Sequence, residues 1–339
     1  MLPDLDIGVN TIVPKYKQVV NATIDLIRRG KLKKGDKVLS INELSEEYFI
    51  SRVTVEKAYK ILREKGIIIP IKGKGFYVNK VSIDSAFKVL LVFNKISNYK
   101  KQIYSSFIQT LGANAVVDLM IHHFNYEILR KLVEEHRNDY DYFVIMPFFY
   151  EHYEDAVNII KTIPANQLII MDRRIPCFDN KCGTVYQNFE KNIIDALTEG
   201  LHLLQKYSKL YFVYPNLVPY PPEMRLGFKK FCMQNGFKNE VLTEITSSTP
   251  VQKGETYIVI EEADLAELIK TCMAKKLKIG RDVGIIAYNE TPLKAVILDG
   301  ITVVSTDHEK MGETAANLIL TNSTESIENP FKLVIRKSL

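Results

Sequence analysis

The chain has 339 residues, enough for two or three domains at roughly 100–200 residues each. Its hydrophobic content of 46% and charged content of 25% are those of a folded globular protein, and no run approaches the roughly 18–20 apolar residues of a membrane span. The net charge of +5 hides an asymmetry: residues 1–80 hold 16 Lys and Arg against 9 Asp and Glu, and the remainder holds 29 against 31. The basic charge is confined to the N-terminal part, where neutralising phosphates would need it.

The N-terminus Met1-Leu2-Pro3-Asp4-Leu5-Asp6 has neither a basic nor an apolar leader segment. A cytoplasmic chain is expected. The cysteines Cys177, Cys182, Cys232 and Cys272 form no CxxC pair and have no histidines at zinc spacing. They are expected to be reduced and mostly buried, with a disulfide or a metal site as the alternative.

A first helix is predicted over 14–29. Pro14 suits its first turn, Tyr16, Val19, Val20, Thr23, Ile24 and Ile27 form its apolar stripe, and Arg28, Arg29 and Gly30 close it. Lys31, Lys33, Lys34 and Lys37 make a basic turn. Ser40 with Glu43 three residues on is a capping box, so a second helix should begin at Ile41. Ser51 caps a third, in which Val55, Ala58 and Leu62 share one side while Arg52, Lys57, Lys60 and Arg63 lie mostly off it. Gly66 ends that helix. Ile67–Ile71 and Phe76–Val78 flank Lys72-Gly73-Lys74-Gly75, which predicts a hairpin with a lysine between glycines at its tip. Helix, turn, helix and β-wing is the layout of a DNA reader. A small domain that binds protein is the plainer alternative.

Pro14-Lys15-Tyr16, Lys34-Gly35-Asp36, Leu39-Ser40, Ser51-Arg52 before Thr54-Val55, Gly66 and Gly73-Lys74-Gly75-Phe76 resemble the N-terminal domain of the GntR family of bacterial transcription regulators. The resemblance implies DNA contacts from Ser40, Asn42, Ser51, Arg52, Thr54, Lys57, Gly73, Lys74 and Gly75. It departs at Leu39, Asn42 and Glu56. The last puts a carboxylate where some relatives touch DNA.

The domain boundary is expected at 80, with a linker over 81–87. From residue 88 to 339 short apolar runs alternate with amphipathic stretches. Strands are predicted at 89–93, 115–120, 142–146, 168–171, 210–213, 257–260, 283–287 and 301–304. Helices are predicted at 101–111, 126–137, 151–162, 189–205, 222–235, 262–276 and 307–320. Apolar strands, each followed by a helix, imply parallel sheets covered on both faces, here as two α/β lobes with a cleft between them. The expected fold class is therefore α/β, with an N-terminal winged helix-turn-helix.

Ile170-Met171-Asp172-Arg173-Arg174, Val185-Tyr186-Gln187-Asn188, Gly227-Phe228, Ile285-Ile286-Ala287-Tyr288-Asn289-Glu290 and Ile301–Asp307 with Met311–Ala316 resemble the type I periplasmic-binding-protein fold used by LacI-family regulators. A GntR-like reader on such a domain is the arrangement of arabinose-repressor-like regulators. Strand-end residues Asn94, Phe148, Asp172, Arg173, Asn188, Tyr214, Arg225, Glu261 and Asn289 are expected at the cleft, as a set suited to a monosaccharide or sugar phosphate. Asp172 and Asn289 match ligand positions of the LacI family. Arg225 stands two residues before Gly227, where that family usually has Arg three before. Phe148-Phe149-Tyr150 fits core or dimer surface equally, and His122-His123 reads as exposed loop.

No nucleophile elbow, phosphate-binding loop or dinucleotide fingerprint is present. No catalytic residue, cofactor or metal is expected. The expected protein is a homodimeric regulator, a repressor by family habit, on a palindromic DNA operator and under the control of a small sugar. The alternatives are a pyridoxal-phosphate enzyme type, which needs more residues than follow the reader here, or a sugar-binding protein whose winged helix binds protein.

Overall fold

The computed structural model describes residue 5 and residues 14–28, 30–79 and 86–339. The linker expected over 81–87, save Ala86 and Phe87, lies outside the described residues, as do Arg29 and the side chain of Arg28. The chain divides into two compact units, Met1–Phe87 with Ala113–Val116, and Lys88–Gly112 with Val117–Leu339.

In the first unit α1 (Lys15–Arg28), α2 (Ile41–Glu47) and α3 (Arg52–Glu64) precede β1 (Ile68–Ile71) and β2 (Gly75–Val78). The capping box forms. Ser40 Oγ accepts from Glu43 N at 3.2 Å, and Glu43 Oε2 accepts from Ser40 N at 2.7 Å. Ser51 Oγ accepts from Thr54 N at 3.2 Å and starts α3. Val55, Ala58, Tyr59 and Leu62 bury one side of α3 in a core with Val19, Ile27, Leu44 and Ile67. The strands pair antiparallel, Ile68 opposite Val78 and Ile71 opposite Gly75. Gly73 and Gly75 take φ of +73° and +104°, values that side chains resist, so the tip turns sharply and leaves Lys74 exposed.

From Phe87 the chain runs through β3 (Phe87–Phe93), α4 (Asn98–Leu111), β4 (Ala115–Ile121), α5 (Tyr126–His136), β5 (Tyr142–Ile145), α6 (Tyr153–Ile160), β6 (Leu168–Asp172) and β7 (Gly183–Tyr186). There follow α7 (Phe189–Glu199), α8 (Leu201–Leu204), β8 (Lys209–Val213), α9 (Pro222–Gln234), β9 (Lys238–Leu242), β10 (Glu255–Val259) and α10 (Glu262–Ala274). The last elements are β11 (Val283–Tyr288), α11 (Pro292–Val296), β12 (Thr302–Thr306), α12 (His308–Thr321), β13 (Ser326–Glu328) and β14 (Phe331–Val334).

Two sheets result, each of 6 strands, in the orders β13-β7-β6-β5-β3-β4 and β14-β12-β11-β10-β8-β9. Strands β13, β7, β6, β5 and β3 run parallel, as do β9, β8, β10, β11 and β12. The edge strand β14 runs antiparallel to β12. Every residue of β5, β6, β10 and β11 is buried, which is why these runs read as apolar throughout. Each lobe has its own core, one around Leu90, Phe143 and Ile170, the other around Val213, Tyr257 and Ile285.

The chain crosses between lobes three times: from β7 into α7, which packs on α9; from β12 into α12, which packs on α4; and from β13 to β14. One residue joins the crossings. Asn329 Nδ2 donates to Thr306 Oγ1 at 2.7 Å and to Asp307 O at 2.8 Å, while its backbone N donates to Tyr186 O at 2.7 Å. Asp307 N adds a bond to Pro330 O at 2.9 Å.

Two expectations are corrected. The helix expected over 189–205 breaks at Gly200 into α7 and α8. His122 is a loop residue but not an exposed one: it is 0% exposed, with Nε2 3.0 Å from Met146 O and its ring stacked on Phe149 at 4.7 Å. His123 and Phe124 take φ of +50° and +58°, and this turn sends His122 inward while His123 stays exposed. Cys182, Cys232 and Cys272 are buried and Cys177 is exposed, all as free thiols.

Candidate functional sites

The first unit presents a basic face. Arg52 and Lys57 are exposed on α3, Lys74 is exposed on the wing, and Asn42 is exposed on α2. Lys57 Nζ lies 4.0 Å from the centre of the Tyr16 ring, a cation–π contact that holds it without neutralising it. Arg52 and Lys74 have no ion pair among the described residues. Ser51 and Thr54 share a hydroxyl contact of 2.7 Å at the start of α3, where backbone donors also point outward. Ser40 is half-buried as the cap of α2, and Gly73 and Gly75 shape the wing tip. Two exposed residues of α3 escaped the sequence reading as a pair. Val53, 74% exposed, and Glu56 lie three positions apart on the same side as Lys57 and Lys60.

The second unit has a pocket between its lobes, with about 560 Å³ of space free of protein atoms. From the first lobe come Asn94, Lys95, Lys100, Phe148, Asp172 and Gln187; from the second, Tyr220, Tyr288 and Asn289. The carboxyl ends of strands place most of them, as in other open α/β sheets. Asp172 ends β6 with φ of +77°, and Asn289 follows β11 with φ of +63°. Both strained backbones are fixed by bonds: Gln187 N donates to Asp172 O at 3.1 Å, and Asn289 N to Val304 O at 2.8 Å.

The electrostatics are unusual for a surface cleft. Lys100 is 3% exposed, with Nζ 3.7 Å from Asp172 Oδ2. Burial, opposed by Asp172, pushes its pKa down to about 8. Gln187 Nε2 donates to Asp172 Oδ1 at 2.5 Å. Tyr220 donates its hydroxyl to Glu261, and Lys95 Nζ donates to the same Tyr220 oxygen at 3.2 Å. Burial raises the Tyr220 pKa, and the nearby Tyr99 and Glu261 add to the effect. His308 is buried at the start of α12 and its ring lies 5.0 Å from that of Tyr99; burial lowers its pKa to about 4, so it is neutral near pH 7. Three buried polar atoms of lining residues have no hydrogen-bond partner among the described residues: Asn94 Oδ1, Gln187 Oε1 and the Tyr288 hydroxyl.

Of the residues expected at the cleft, Asn94, Phe148, Asp172 and Asn289 line this pocket. Glu261 lines the adjoining cleft instead. The others stand elsewhere. Asn188 caps α7 by accepting from Lys191 N at 3.4 Å. Arg173 lies 4.9 Å from the Tyr153 ring centre and 3.8 Å from Glu223. Arg225 is exposed over the Tyr214 ring, and the Tyr214 hydroxyl is taken by Tyr220 O at 2.5 Å. Lys95, Lys100, Gln187, Tyr220 and His308 were not anticipated. Only Gln187 carried a signal, since it adjoins Asn188 at a strand end.

A winged-helix reader with exposed cations, followed by a two-lobed pocket domain, defines a class: DNA-binding transcription regulators with an effector domain of periplasmic-binding-protein type. Residues 15–78 match the family model of bacterial regulatory proteins, gntR family, and residues 202–339 match that of a periplasmic binding protein-like domain. The HTH-type transcriptional repressor YtrA of Bacillus subtilis is 32% identical over 99 residues, which is 29% of this chain and 72% of that protein. The chain belongs to the GntR family. The mannosyl-D-glycerate transport/metabolism system repressor MngR of Escherichia coli is 37% identical over 71 residues, 21% of this chain but only 30% of MngR, so that match is confined to the reader. The second unit has its likenesses among solved structures. A transcription regulator-like protein from Staphylococcus haemolyticus superposes with a TM-score of 0.60 at 15% identity, over 75% of this chain and 99% of that one. The dimeric Lac repressor gives 0.61 at 13%, over 74% and 98%. The trehalose repressor from Escherichia coli gives 0.60 at 13%, over 74% and 100%. At such identities the likeness is one of fold.

Proposed function

We propose that the protein represses transcription from a palindromic operator as a homodimer, and that a small sugar bound between the lobes relieves repression. The observation that carries the effector half is the set of unpartnered polar atoms, Asn94 Oδ1, Gln187 Oε1 and the Tyr288 hydroxyl, in a pocket walled by Phe148, Tyr99 and Tyr220. Buried polar groups seek partners, and a sugar supplies hydroxyls along its rim and C–H faces for aromatic rings. The repressor sense follows the names of the relatives.

In this reading Arg52 and Lys57 enter the major groove, Ser51 and Thr54 hold phosphates, and Lys74 reaches the minor groove, with Ser40, Asn42, Gly73 and Gly75 shaping the approach. Asp172 and Asn289 bind sugar hydroxyls with Asn94, and Phe148 packs on the ring. Arg173, Asn188 and Arg225 serve the architecture of the cleft. The sugar acts only if it prefers one lobe arrangement over the other. No catalytic step is assigned, and a DNA partner places the protein in the cytoplasm.

The test selects duplexes from a randomised library with the purified protein, then titrates the selected operator in the presence of sugars that raise the melting temperature. A two-fold symmetric site, released at least ten-fold by one sugar, is expected. Operator binding that no stabilising sugar alters would overturn the effector assignment and leave the reader standing.

A further inference from the structure

Lys100 has no account in folding. It lies on α4, is 3% exposed, and lines the pocket. Its ammonium offers three donors. Among the described residues these meet the Met146 thioether at 2.7 Å, a weak acceptor, and Asp172 Oδ2 at 3.7 Å, beyond good hydrogen-bond reach, with the Phe93 ring centre 5.4 Å away. A buried pair so loosely held adds little to a fold, because the desolvation of both charges offsets their attraction. A ligand gives the lysine its reason.

The neighbouring groups specify the ligand. Lys100 and the Tyr288 hydroxyl have donors to give; Asn94 Oδ1, Gln187 Oε1 and Asp172 Oδ2 have capacity to accept. A hydroxyl group both donates and accepts, so a polyol satisfies both kinds. The phosphoryl group of a phosphate ester near pH 7 is almost wholly an acceptor. Seated against Asn94 Oδ1 and Gln187 Oε1 it would leave both unmet and set its charge against Asp172. The nearby cations are also already engaged. Lys100 is matched by Asp172, Lys95 lies 3.8 Å from Glu261, and Lys294 Nζ is turned onto the carbonyls of Tyr288 and Asn289 at 2.9 Å.

We propose that the effector is an uncharged polyhydroxyl compound, and that Lys100 set against Asp172 is the clamp that selects it and excludes phosphate esters. This rests on the sugar reading above and narrows it. The test is calorimetric titration of the full-length protein with matched pairs: glucose, galactose, mannose, fructose and ribose, each beside its phosphate ester. L-Arabinose, D-xylose and L-fucose complete the neutral set. A neutral sugar should bind, and a phosphate ester of a binding sugar should bind at least ten-fold more weakly. An ester that binds as well as its parent overturns the exclusion while the sugar reading survives. Silence from both sets overturns both. Lys100→Met is the second arm. It strands the Asp172 carboxylate and should melt lower, but while still folded by circular dichroism it should lose at least ten-fold in affinity for the sugar that binds. Lys100→Met with unchanged affinity overturns the clamp, whatever the panel shows.

Discussion

Arg52 and Lys74 share exposure and charge but have different tasks. In the proposed docking Arg52 reads base edges, and Lys74, on a glycine-flanked tip, meets the backbone. Arg52→Ala should cost about 1–3 kcal/mol of operator affinity and relax specificity at one position. Lys74→Ala should weaken binding evenly across sequences and lower the slope of log affinity against log salt by about 1. Fluorescence anisotropy at several salt concentrations separates the two. If Arg52→Ala keeps full specific affinity, the docking is wrong. Glu56 works in the opposite sense. A carboxylate on the exposed side of α3, unpaired among the described residues, repels phosphate and accepts only from a base amino group such as that of cytosine. Glu56→Gln should therefore tighten binding to random duplex and narrow the ratio of specific to non-specific affinity, measured by competition with bulk DNA. An unchanged ratio would show that Glu56 faces away from the groove.

At the scale of elements, α7 and α9 meet where a side chain is forbidden. A Cβ on Gly227 would lie 2.4 Å from Ile193 Cγ2 and 2.5 Å from Glu190 O. Alanine is the better helix former by about 1 kcal/mol. The clash outweighs that gain because the nearer backbone atom cannot yield, and overpacking costs about 1–3 kcal/mol. Gly227→Ala should thus lower the urea midpoint, whereas propensity alone predicts a rise. Such positions show how far the chain could be read unaided. The Ser40–Glu43 box, the Ser51 cap and the Gly73–Gly75 wing were legible because local chemistry decides them. The inner strands were legible because burial on both faces demands continuous apolar residues. Strand β9 was not, since Lys238-Asn239-Glu240 lies at a sheet edge and its burial is partial. Asp172 and Asn289 stood out at strand ends. Lys100 did not, because a lysine in Tyr99-Lys100-Lys101-Gln102 has the look of a solvated helix face, and the residues that enclose it, Met146 and Asp172 among them, lie far along the chain.

Over the whole molecule, stability should depend on pH through buried cations held neutral. His122 and His308 have ordinary pKa values of 6.5, and burial lowers both to about 4. Between those values the unfolded chain binds protons that the folded chain refuses. Stability is then full above pH 6.5 and falls as the pH drops towards 4, by up to about 1.4 kcal/mol per pH unit for each histidine. Lys100 acts at the other end. Its lowered pKa means that stability rises between about pH 8 and 10.5, where the unfolded chain still holds the proton. Urea unfolding across both windows measures the slopes. His122→Gln should flatten the acid limb, and an unchanged limb would mean that His122 is not held neutral.

Asn329 gives the lobes a common spine. With all three crossings bonded to one residue, the lobes cannot slide past each other without breaking its bonds, but they can turn about the line those crossings define. Under a rotation, displacement grows with distance from that line. Gln187, next to the Tyr186 that Asn329 holds, also grips Asp172 in the pocket. In the proposed function a ligand there would push on the short arm of a lever. The contacts it makes need shift by only fractions of an ångström for the outer ends of the lobes to travel much further. Sensitivity in this protein is then a matter of leverage, set by where the bonds cross.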